Sequence, residues 1–195
     1  TSMYWYGKNS ALRFSDFRPE VHDSDGLLMN NGTGEWLWRP LVNEGKFRFC
    51  SFGDNNPKGF GLLQRDRTFA TYEDLEAHYQ DRPAVWVTPK GAWGAGSVRL
   101  LELPAADEFG DNIVAFWEPQ TPLSAGQSAE YAYDLRWFRD DPVLPPRGRT
   151  VATRVADLPD YGRKDKADKS ITRKFVLDFA WPTVDADAEK GKLSA

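Results

Sequence analysis

The stretch Phe47-Arg-Phe-Cys-Ser-Phe52 decides the fold class, because aromatic residues interleaved with small and polar ones are typical of a β-strand. Runs of the same kind follow at residues 59–64, 85–89, 97–103, 112–117 and 131–136. Turn-forming segments such as Asp54-Asn-Asn-Pro-Lys-Gly59 separate them. The sequence therefore predicts an all-β architecture, in which the single cysteine, Cys50, is a small core residue.

One segment departs from the strand pattern. Within residues 71–80, Thr71 is followed three positions later by Asp74, an arrangement that resembles a capping box. Side chains at helical spacing accompany it, namely Tyr72, Leu75, Ala77 and Tyr79. We therefore expect about two turns of helix in this segment.

A change of composition marks the last quarter of the chain. Residues 139–149 contain three prolines and five charged residues, which cannot form a ladder strand. Beyond them, residues 150–156 and 174–180 are predicted strands joined by a charged loop at 160–170, and two strands alone do not make a stable sheet. We therefore divide the chain into part of one β domain at 1–140, a linker at 141–149, and the beginning of a second β domain at 150–195.

The balance of charge limits the classes of partner. The 195 residues carry a formal net charge of −4, and the isoelectric point is near 5.3, so the chain lacks the basic stripe that binds nucleic acid. No apolar run approaches the roughly 20 residues of a membrane span. The expected partner is therefore a neutral or small molecule, with no nucleic acid and no membrane span.

The sequence offers few of the residue patterns that bind a metal ion or a cofactor. Two histidines, His22 and His78, and one cysteine are too few for a cluster of metal-binding His and Cys side chains. Asp23-Ser-Asp-Gly26 resembles a calcium loop, but its glycine comes at the fourth position and position twelve is Gly34 instead of glutamate. The glycines of residues 91–96 do not open a helix after a parallel strand, and no Gly-x-Ser-x-Gly elbow is present. We therefore predict no metal and no cofactor.

Two stretches near the start of the chain combine the groups that a sugar site needs. They are Phe17-Arg-Pro-Glu-Val-His-Asp-Ser-Asp-Gly26 and Gly34-Glu-Trp-Leu-Trp-Arg-Pro40, which hold carboxylates, two guanidinium groups, one imidazole and two indoles. Pyranose rings present C–H faces that stack on aromatic rings, and hydroxyl rims that need charged or amide partners. The alternative is an aromatic β core with charged turns, since most aromatic side chains are simply buried.

Glycosidic cleavage adds a requirement for carboxyl groups, because one carboxylic acid protonates the leaving oxygen while a second group activates water. The candidates for these roles are Asp16, Glu20, Asp23, Asp25, Glu35, Glu102, Asp107, Glu108 and Asp111. Asp111 opens the predicted strand Asp111-Asn-Ile-Val-Ala-Phe-Trp117, whose Phe-Trp pair is expected to desolvate the carboxyl group and raise its pKa. The alternative is an aspartate that caps a turn.

Eight motifs together resemble a known family. They are Phe17-Arg-Pro-Glu-Val-His-Asp-Ser-Asp-Gly-Leu27, Gly34-Glu-Trp-Leu-Trp-Arg-Pro-Leu41, Gly59-Phe-Gly-Leu-Leu-Gln-Arg65, Tyr72-Glu-Asp-Leu-Glu76, Arg82-Pro83, Trp86-Val-Thr-Pro-Lys-Gly91, Trp93-Gly94 and Asp111-Asn-Ile-Val-Ala-Phe-Trp117. With these motifs in this order, the chain resembles the periplasmic glucan biosynthesis proteins G and D. The resemblance is strong up to about residue 139 and looser after it. The resemblance implies that the chain contains the second half of a large, galactose-mutarotase-like β-sandwich and the start of an immunoglobulin-like domain. The first half of the sandwich is then missing from this sequence.

The resemblance also implies a function. Members of the family act in the periplasm of Gram-negative bacteria on osmoregulated glucans with a β-1,2-linked backbone, and some are anomer-inverting β-1,2-glucanases. Carried over to this sequence, the general acid falls on Asp111, and the general base, which works through a relay of water, falls on Asp23. Further candidates for binding the substrate, each with structural pairing or core packing as the alternative, are Arg18, His22, Glu35, Trp36, Trp38, Arg39, Gln64, Arg65, Trp86 and Trp93.

Two other functions stay open. The chain is alternatively a glucan-binding or scaffolding module that assists glucan synthesis without cutting the backbone, or a purely structural piece. Half a sandwich is expected to hold only part of the glucan cleft and to leave strand edges and one face of its core bare. We therefore expect the chain to associate through the exposed sandwich edge, either with a copy of itself or with the missing segment.

Overall fold

The computed structural model describes residues 1–8, 10, 14–139, 149–157 and 173–180. The chain divides into two compact units, Thr1–Pro142 and Val143–Ala195. In the described part of the first unit the strands are β1 (Tyr4–Tyr6), β2 (Val21–His22), β3 (Gly26–Asn30), β4 (Trp36–Pro40), β5 (Arg48–Asn55), β6 (Gly59–Leu63), β7 (Ala84–Lys90), β8 (Ala95–Glu102), β9 (Ile113–Pro119) and β10 (Ala132–Phe138).

These strands form two main sheets. One sheet has the strand order β10-β7-β6-β3-β4, and the other has the order β5-β8-β9, while β1 and β2 make a small separate pair. The strand pairings that the structure describes are antiparallel. The predicted all-β architecture is thereby confirmed.

The two main sheets face each other across one hydrophobic core, as in a β-sandwich. Leu27 of β3 and Leu62 of β6 are buried on one side of this core, and Val98 and Leu100 of β8 are buried on the other. Cys50 of β5 packs against the same core, as its sequence context predicts. Because successive residues of a strand point to opposite faces, each sheet also has an outer face that is turned away from the core.

The predicted helix at residues 71–80 is wrong in its extent. The α-helix α1 covers only Phe69–Tyr72, and a separate 3₁₀ helix covers Tyr79–Asp81. Glu73 ends α1 in the left-handed conformation, with a φ of 52°. Thr71 lies inside α1 and not at its cap.

Asp74 organises the turn that follows α1. Its Oδ1 accepts hydrogen bonds from the backbone N–H groups of Glu76 at 2.8 Å and Ala77 at 2.6 Å. A short acidic side chain that binds nearby backbone groups offers them an alternative to the helix. The Thr71 and Asp74 spacing therefore reflects a loop motif instead of a capping box.

In the second unit, β11 (Arg149–Asp157) and β12 (Arg173–Ala180) form an antiparallel pair. The two predicted strands of this region are thus confirmed. The predicted loop at 160–170 lies outside the described residues, as does the predicted linker apart from Arg149. The assignment of this unit to an immunoglobulin-like domain stays a prediction. Among the helices in the described part of the chain, none has the length and apolar character needed to cross a membrane.

Strand β10, at one edge of its sheet, leaves a row of apolar side chains uncovered. Tyr133, Leu135 and Trp137 share one face of the strand and are 52%, 49% and 61% exposed. Apolar side chains in a row on an edge strand favour pairing with another chain more than isolated ones do. The row is where the predicted association would occur, and that association stays a prediction.

Candidate functional site

Backbone hydrogen bonds bring Asp23 and Asp111 to the same region. The N–H of Asp23 donates to the carbonyl oxygen of Met3 at 2.9 Å, and the N–H of Asn112 donates to that of Ser2 at 3.1 Å. The N-terminal segment therefore lies between the end of β2 and the start of β9. Asp23 directly follows β2, and Asp111 lies two residues before β9.

Both carboxyl groups line one cavity of about 140 Å³, here named the acidic cavity. Its lining residues are Met3, Asp23, Tyr79, Arg82, Glu108, Phe109, Gly110 and Asp111. Two carboxyl groups that open into one space are the arrangement that glycoside hydrolysis requires. Within the described ranges, no three His, Cys, Asp or Glu side chains come together as a metal site.

Asp23 is the better shielded of the two carboxyl groups. Its side chain is 27% exposed, and its Oδ1 lies 3.5 Å from Nε of Arg82. Burial raises the pKa of Asp23 above its usual value, the positive charge of Arg82 opposes the rise, and the negative charge of Asp111 adds to it. Asp23 therefore holds its proton to a higher pH than an exposed aspartate does.

Asp111 is exposed, and its Oδ2 accepts a hydrogen bond from the hydroxyl of Thr1 at 2.9 Å. The expectation that Phe116 and Trp117 desolvate this carboxyl group is wrong. At about 3.3 Å per residue, Trp117 lies roughly 20 Å farther along the extended chain, where it packs against the sandwich core. The aromatic residue of the acidic cavity next to Asp111 is instead Phe109.

An ion cluster fixes the loop between β8 and β9. Oε2 of Glu108 accepts hydrogen bonds from Nη1 of Arg18 at 2.7 Å and from the hydroxyl of Tyr79 at 2.6 Å. The same guanidinium reaches Asp16 at 2.8 Å and Asp74 at 2.6 Å, and its hydrogen bonds lower the pKa of Asp16 to about 2. Arg18, predicted as a sugar contact, thus directs its donors to three carboxylates and holds the loop.

His22 and Gln64, both predicted as substrate contacts, are buried in a network of their own. Nε2 of Gln64 donates to the carbonyl oxygens of His22 at 2.8 Å and Tyr79 at 3.1 Å, which turns its Oε1 toward Nδ1 of His22 at 2.9 Å. Nε2 of His22 lies 3.0 Å from Glu20. Gln64 therefore ties the end of β2 to the 3₁₀ helix, and neither side chain lines the acidic cavity.

Arg39 and Glu35 are also engaged by protein groups. Nη2 of Arg39 donates to Oε2 of Glu102 at 2.7 Å, and Glu102 also accepts the backbone N–H of Val42 at 2.9 Å. Glu35 accepts a hydrogen bond from the side-chain amide of Asn31 at 3.1 Å. Neither of the two predicted contacts is among the described residues that line the acidic cavity.

Three of the four predicted tryptophans lie on the outer face of the five-stranded sheet, since they alternate with the core-facing residues of their strands. The ring centroids of Trp36 and Trp86 are 5.9 Å apart, and the rings are stacked. A Cβ at Gly59 would overlap the Trp86 ring, so the glycine leaves room for it. Trp38 lies under the guanidinium of Arg65, 4.2 Å from the ring centroid.

Trp93 differs from the other three, because it packs against the sandwich core beside Phe60 and Trp117. Its indole Nε1 donates to the carbonyl oxygen of Ala132 at 3.1 Å. The structure therefore does not bring Trp93 to the outer face or to the acidic cavity. The predicted substrate-binding roles of the tryptophans stay predictions.

The sequence does not indicate Tyr79, Arg82 or Phe109 as residues of the site. Arg82 lies in the motif Arg82-Pro83, which was the only signal that pointed toward it. The sequence pattern predicts a longer helix around Tyr79, and Phe109 lies in an irregular loop without a periodic pattern. These three residues line the acidic cavity only because segments that are distant in the chain contact one another in the fold.

Asp25, close to the site, gives a pH-dependent prediction. Burial raises its pKa from 3.8 to about 6, so the folded protein loses stability as the pH rises from about 4 to 6 and the carboxyl group ionises. We expect Asp25→Asn to raise the free energy of unfolding by roughly 1–3 kcal/mol at about pH 7.5 and to change it little at about pH 3.5. Urea unfolding at both pH values measures this.

The control for this experiment is Asp134→Asn, which alters an aspartate that is 64% exposed. Its effect on the free energy of unfolding should be small at both pH values. An effect of Asp25→Asn that is the same at both pH values would contradict the prediction, because only an ionisation can make the difference depend on pH.

Comparison with known proteins relates the chain to glucan synthesis. A family model described as "Periplasmic glucan biosynthesis protein, MdoG" matches residues 1–195. The chain is 48% identical over 180 residues to "Probable glucans biosynthesis protein D" of Shewanella oneidensis, which covers 92% of the chain and 33% of that protein. It is 49% identical over 179 residues to "Glucans biosynthesis protein G" of Shewanella sp. (strain MR-7) and of Vibrio cholerae, with 92% of the chain and 32% of each relative covered.

The chain thus spans about a third of the length of the curated relatives it matches. With a family model that matches residues 1–195 and relatives that are about half identical to it, the chain belongs to the periplasmic glucan biosynthesis protein family.

Proposed function

We propose that this chain carries the catalytic pair of a periplasmic protein that hydrolyses the β-1,2-linked backbone of osmoregulated glucans with inversion of the anomeric centre. Asp111 is the general acid, and Asp23 is the general base. The observation that supports the proposal is that these two carboxyl groups, far apart in the sequence, line the same acidic cavity. The family membership supplies the glucan as the class of substrate.

In the proposed reaction, the carboxylic acid of Asp111 gives its proton to the glycosidic oxygen as the bond from that oxygen to the anomeric carbon breaks. A water molecule attacks the same carbon from the opposite face, and its proton passes to Asp23 directly or through further water. One bond breaks and one forms, so the anomeric configuration inverts. The charge of Arg82, 3.5 Å from Asp23, favours the ionised form that a base needs.

The allocation of the two roles can be tested directly, because the raised pKa of Asp23 also suits a general acid. A 2,4-dinitrophenyl glycoside of a β-1,2-linked gluco-oligosaccharide has a weakly basic leaving group that departs without protonation. On this substrate we expect Asp111→Asn to keep most of the wild-type activity and Asp23→Asn to lose it. The opposite result would exchange the roles of acid and base.

A glucan-binding or scaffolding module is the second candidate function. The partly exposed ring of Trp36 on the outer face of the five-stranded sheet favours it, because a sugar ring can stack on such a surface without any acid or base. Trp86, which stacks on Trp36, is only 5% exposed and supports that ring from below. The exposure of Asp111 also favours it, since a general acid profits from a shielded site.

Incubation of the chain with β-1,2-glucan separates the two candidates. New reducing ends measure hydrolysis, and titration calorimetry measures binding. Hydrolysis that disappears when Asp111 and Asp23 are both changed to asparagine would support the enzyme. Binding without new reducing ends would support the module, and the absence of both would contradict both candidates.

A further inference from the structure

Phe109 presents an exposed aromatic ring at the mouth of the acidic cavity. It is 88% exposed, and it lines the cavity two residues before Asp111. The other ring that lines the cavity, Tyr79, is only 3% exposed, and its hydroxyl is engaged by Glu108. Single exposed apolar side chains are common on protein surfaces, and Phe17 is another. Phe109 differs from Phe17 because it lines the cavity that holds Asp23 and Asp111, so its open ring is available to a ligand bound there.

Hydrogen bonds fix the loop on both sides of Phe109 in the sequence. Glu108, immediately before it, is turned inward by the guanidinium of Arg18 at 2.7 Å. The backbone N–H of Phe109 donates to Oδ1 of Asp107 at 3.0 Å. After it, Asn112 is buried, and its side-chain amide donates to two backbone carbonyl oxygens at 3.0 and 2.9 Å. The loop is thus fastened before and after Phe109, while the ring itself stays exposed.

We propose that Phe109 is the platform on which a glucose ring of the glucan stacks beside the carboxyl group of Asp111. The face of the phenyl ring matches the apolar C–H face of a pyranose, and no charge has to be desolvated for this contact. The inference rests on the proposed function, because it takes the acidic cavity as the place where the glucan binds. It adds a substrate-positioning aromatic residue to the two carboxyl groups.

Titration of β-1,2-glucan into the 195-residue chain tests the platform. We expect Phe109→Ala to weaken binding about 3- to 10-fold, as the loss of one aromatic stacking contact does, and Phe109→Trp to retain the wild-type affinity. The matched control is Phe17→Ala, since Phe17 is 78% exposed and is not among the lining residues of the acidic cavity. This control should bind within about twofold of the wild type.

The possible results separate the platform from the proposed function when reducing ends are assayed in parallel. Equal binding by Phe109→Ala and the wild type would overturn the platform, even if the wild type hydrolyses the glucan. Weaker binding by Phe109→Ala without hydrolysis by the wild type would support the platform and contradict the enzyme. A wild type that binds no β-1,2-glucan would overturn both.

Discussion

Replacement of Asp111 by asparagine is expected to lower kcat for β-1,2-glucan by at least about 10²-fold, because general acid catalysis contributes roughly 10²–10⁴ to a rate. Asparagine keeps the shape of the side chain, and its oxygen can still accept the hydrogen bond that Thr1 donates. It cannot supply the acidic proton. The binding of the glucan should therefore remain nearly unchanged. Release of reducing sugar measures kcat, and calorimetry measures the binding.

The control for this substitution is Asp134→Asn, on strand β10. Asp134 is an exposed aspartate whose Oδ1 forms an ion pair with Lys90, and it does not line the acidic cavity. Its kcat should stay within about twofold of the wild-type value. A kcat of Asp111→Asn within a fewfold of the wild type would remove Asp111 from the role of general acid.

Arg39→Met is expected to lower the free energy of unfolding by about 3 kcal/mol, because it leaves the carboxylate of Glu102 buried without its closest positive charge. Glu102 is 2% exposed, and its Oε2 lies 2.7 Å from Nη2 of Arg39. Two other groups still compensate part of the negative charge of Glu102, namely Arg48 at 3.6 Å and the backbone N–H of Val42 at 2.9 Å. Urea unfolding followed by tryptophan fluorescence measures the loss.

Two further variants test whether the loss comes from the buried charge. Arg99→Met removes an ion pair with Glu118 whose carboxylate is 48% exposed, and it should cost less than about 1 kcal/mol. The double variant Arg39→Met, Glu102→Gln removes both charges, and the glutamine oxygen can still accept the N–H of Val42, so it should recover most of the stability. Equal losses for Arg39→Met and Arg99→Met would contradict a structural role for Arg39.

Strands β5 to β12 could be predicted because their signal is local, whereas β1 to β4 were not predicted. The run at 47–52 overlaps β5, and the run at 97–103 overlaps β8. Alternation and turn-forming residues act between near neighbours, so the sequence shows them directly. The helix at 71–80 was predicted wrongly, because Asp74 binds backbone N–H groups of a turn, which a spacing pattern does not distinguish from a helix cap.

The roles of the polar candidates could not be predicted in the same way. In the sequence, Arg39, His22 and Gln64 are polar residues within sugar-like motifs, equally suited to a substrate and to a structural pair. Arg39 meets Glu102, which lies 63 positions away, and Gln64 meets His22, which lies 42 positions away. Whether a polar group faces a substrate or a buried partner depends on such distant contacts, which no local pattern contains.

The amino-acid sequence by itself determined the all-β class, the approximate positions of strands β5 to β12 and the set of carboxyl groups from which a catalytic pair can be chosen. Only the tertiary structure decided that Asp23 and Asp111 share one cavity, that Phe109 stands open beside them, and that Arg18 is occupied by an ion cluster. The physical reason is the range of the interactions. Strand preference arises between neighbouring residues, whereas the site is assembled by hydrogen bonds and ion pairs between segments that meet only in the folded chain.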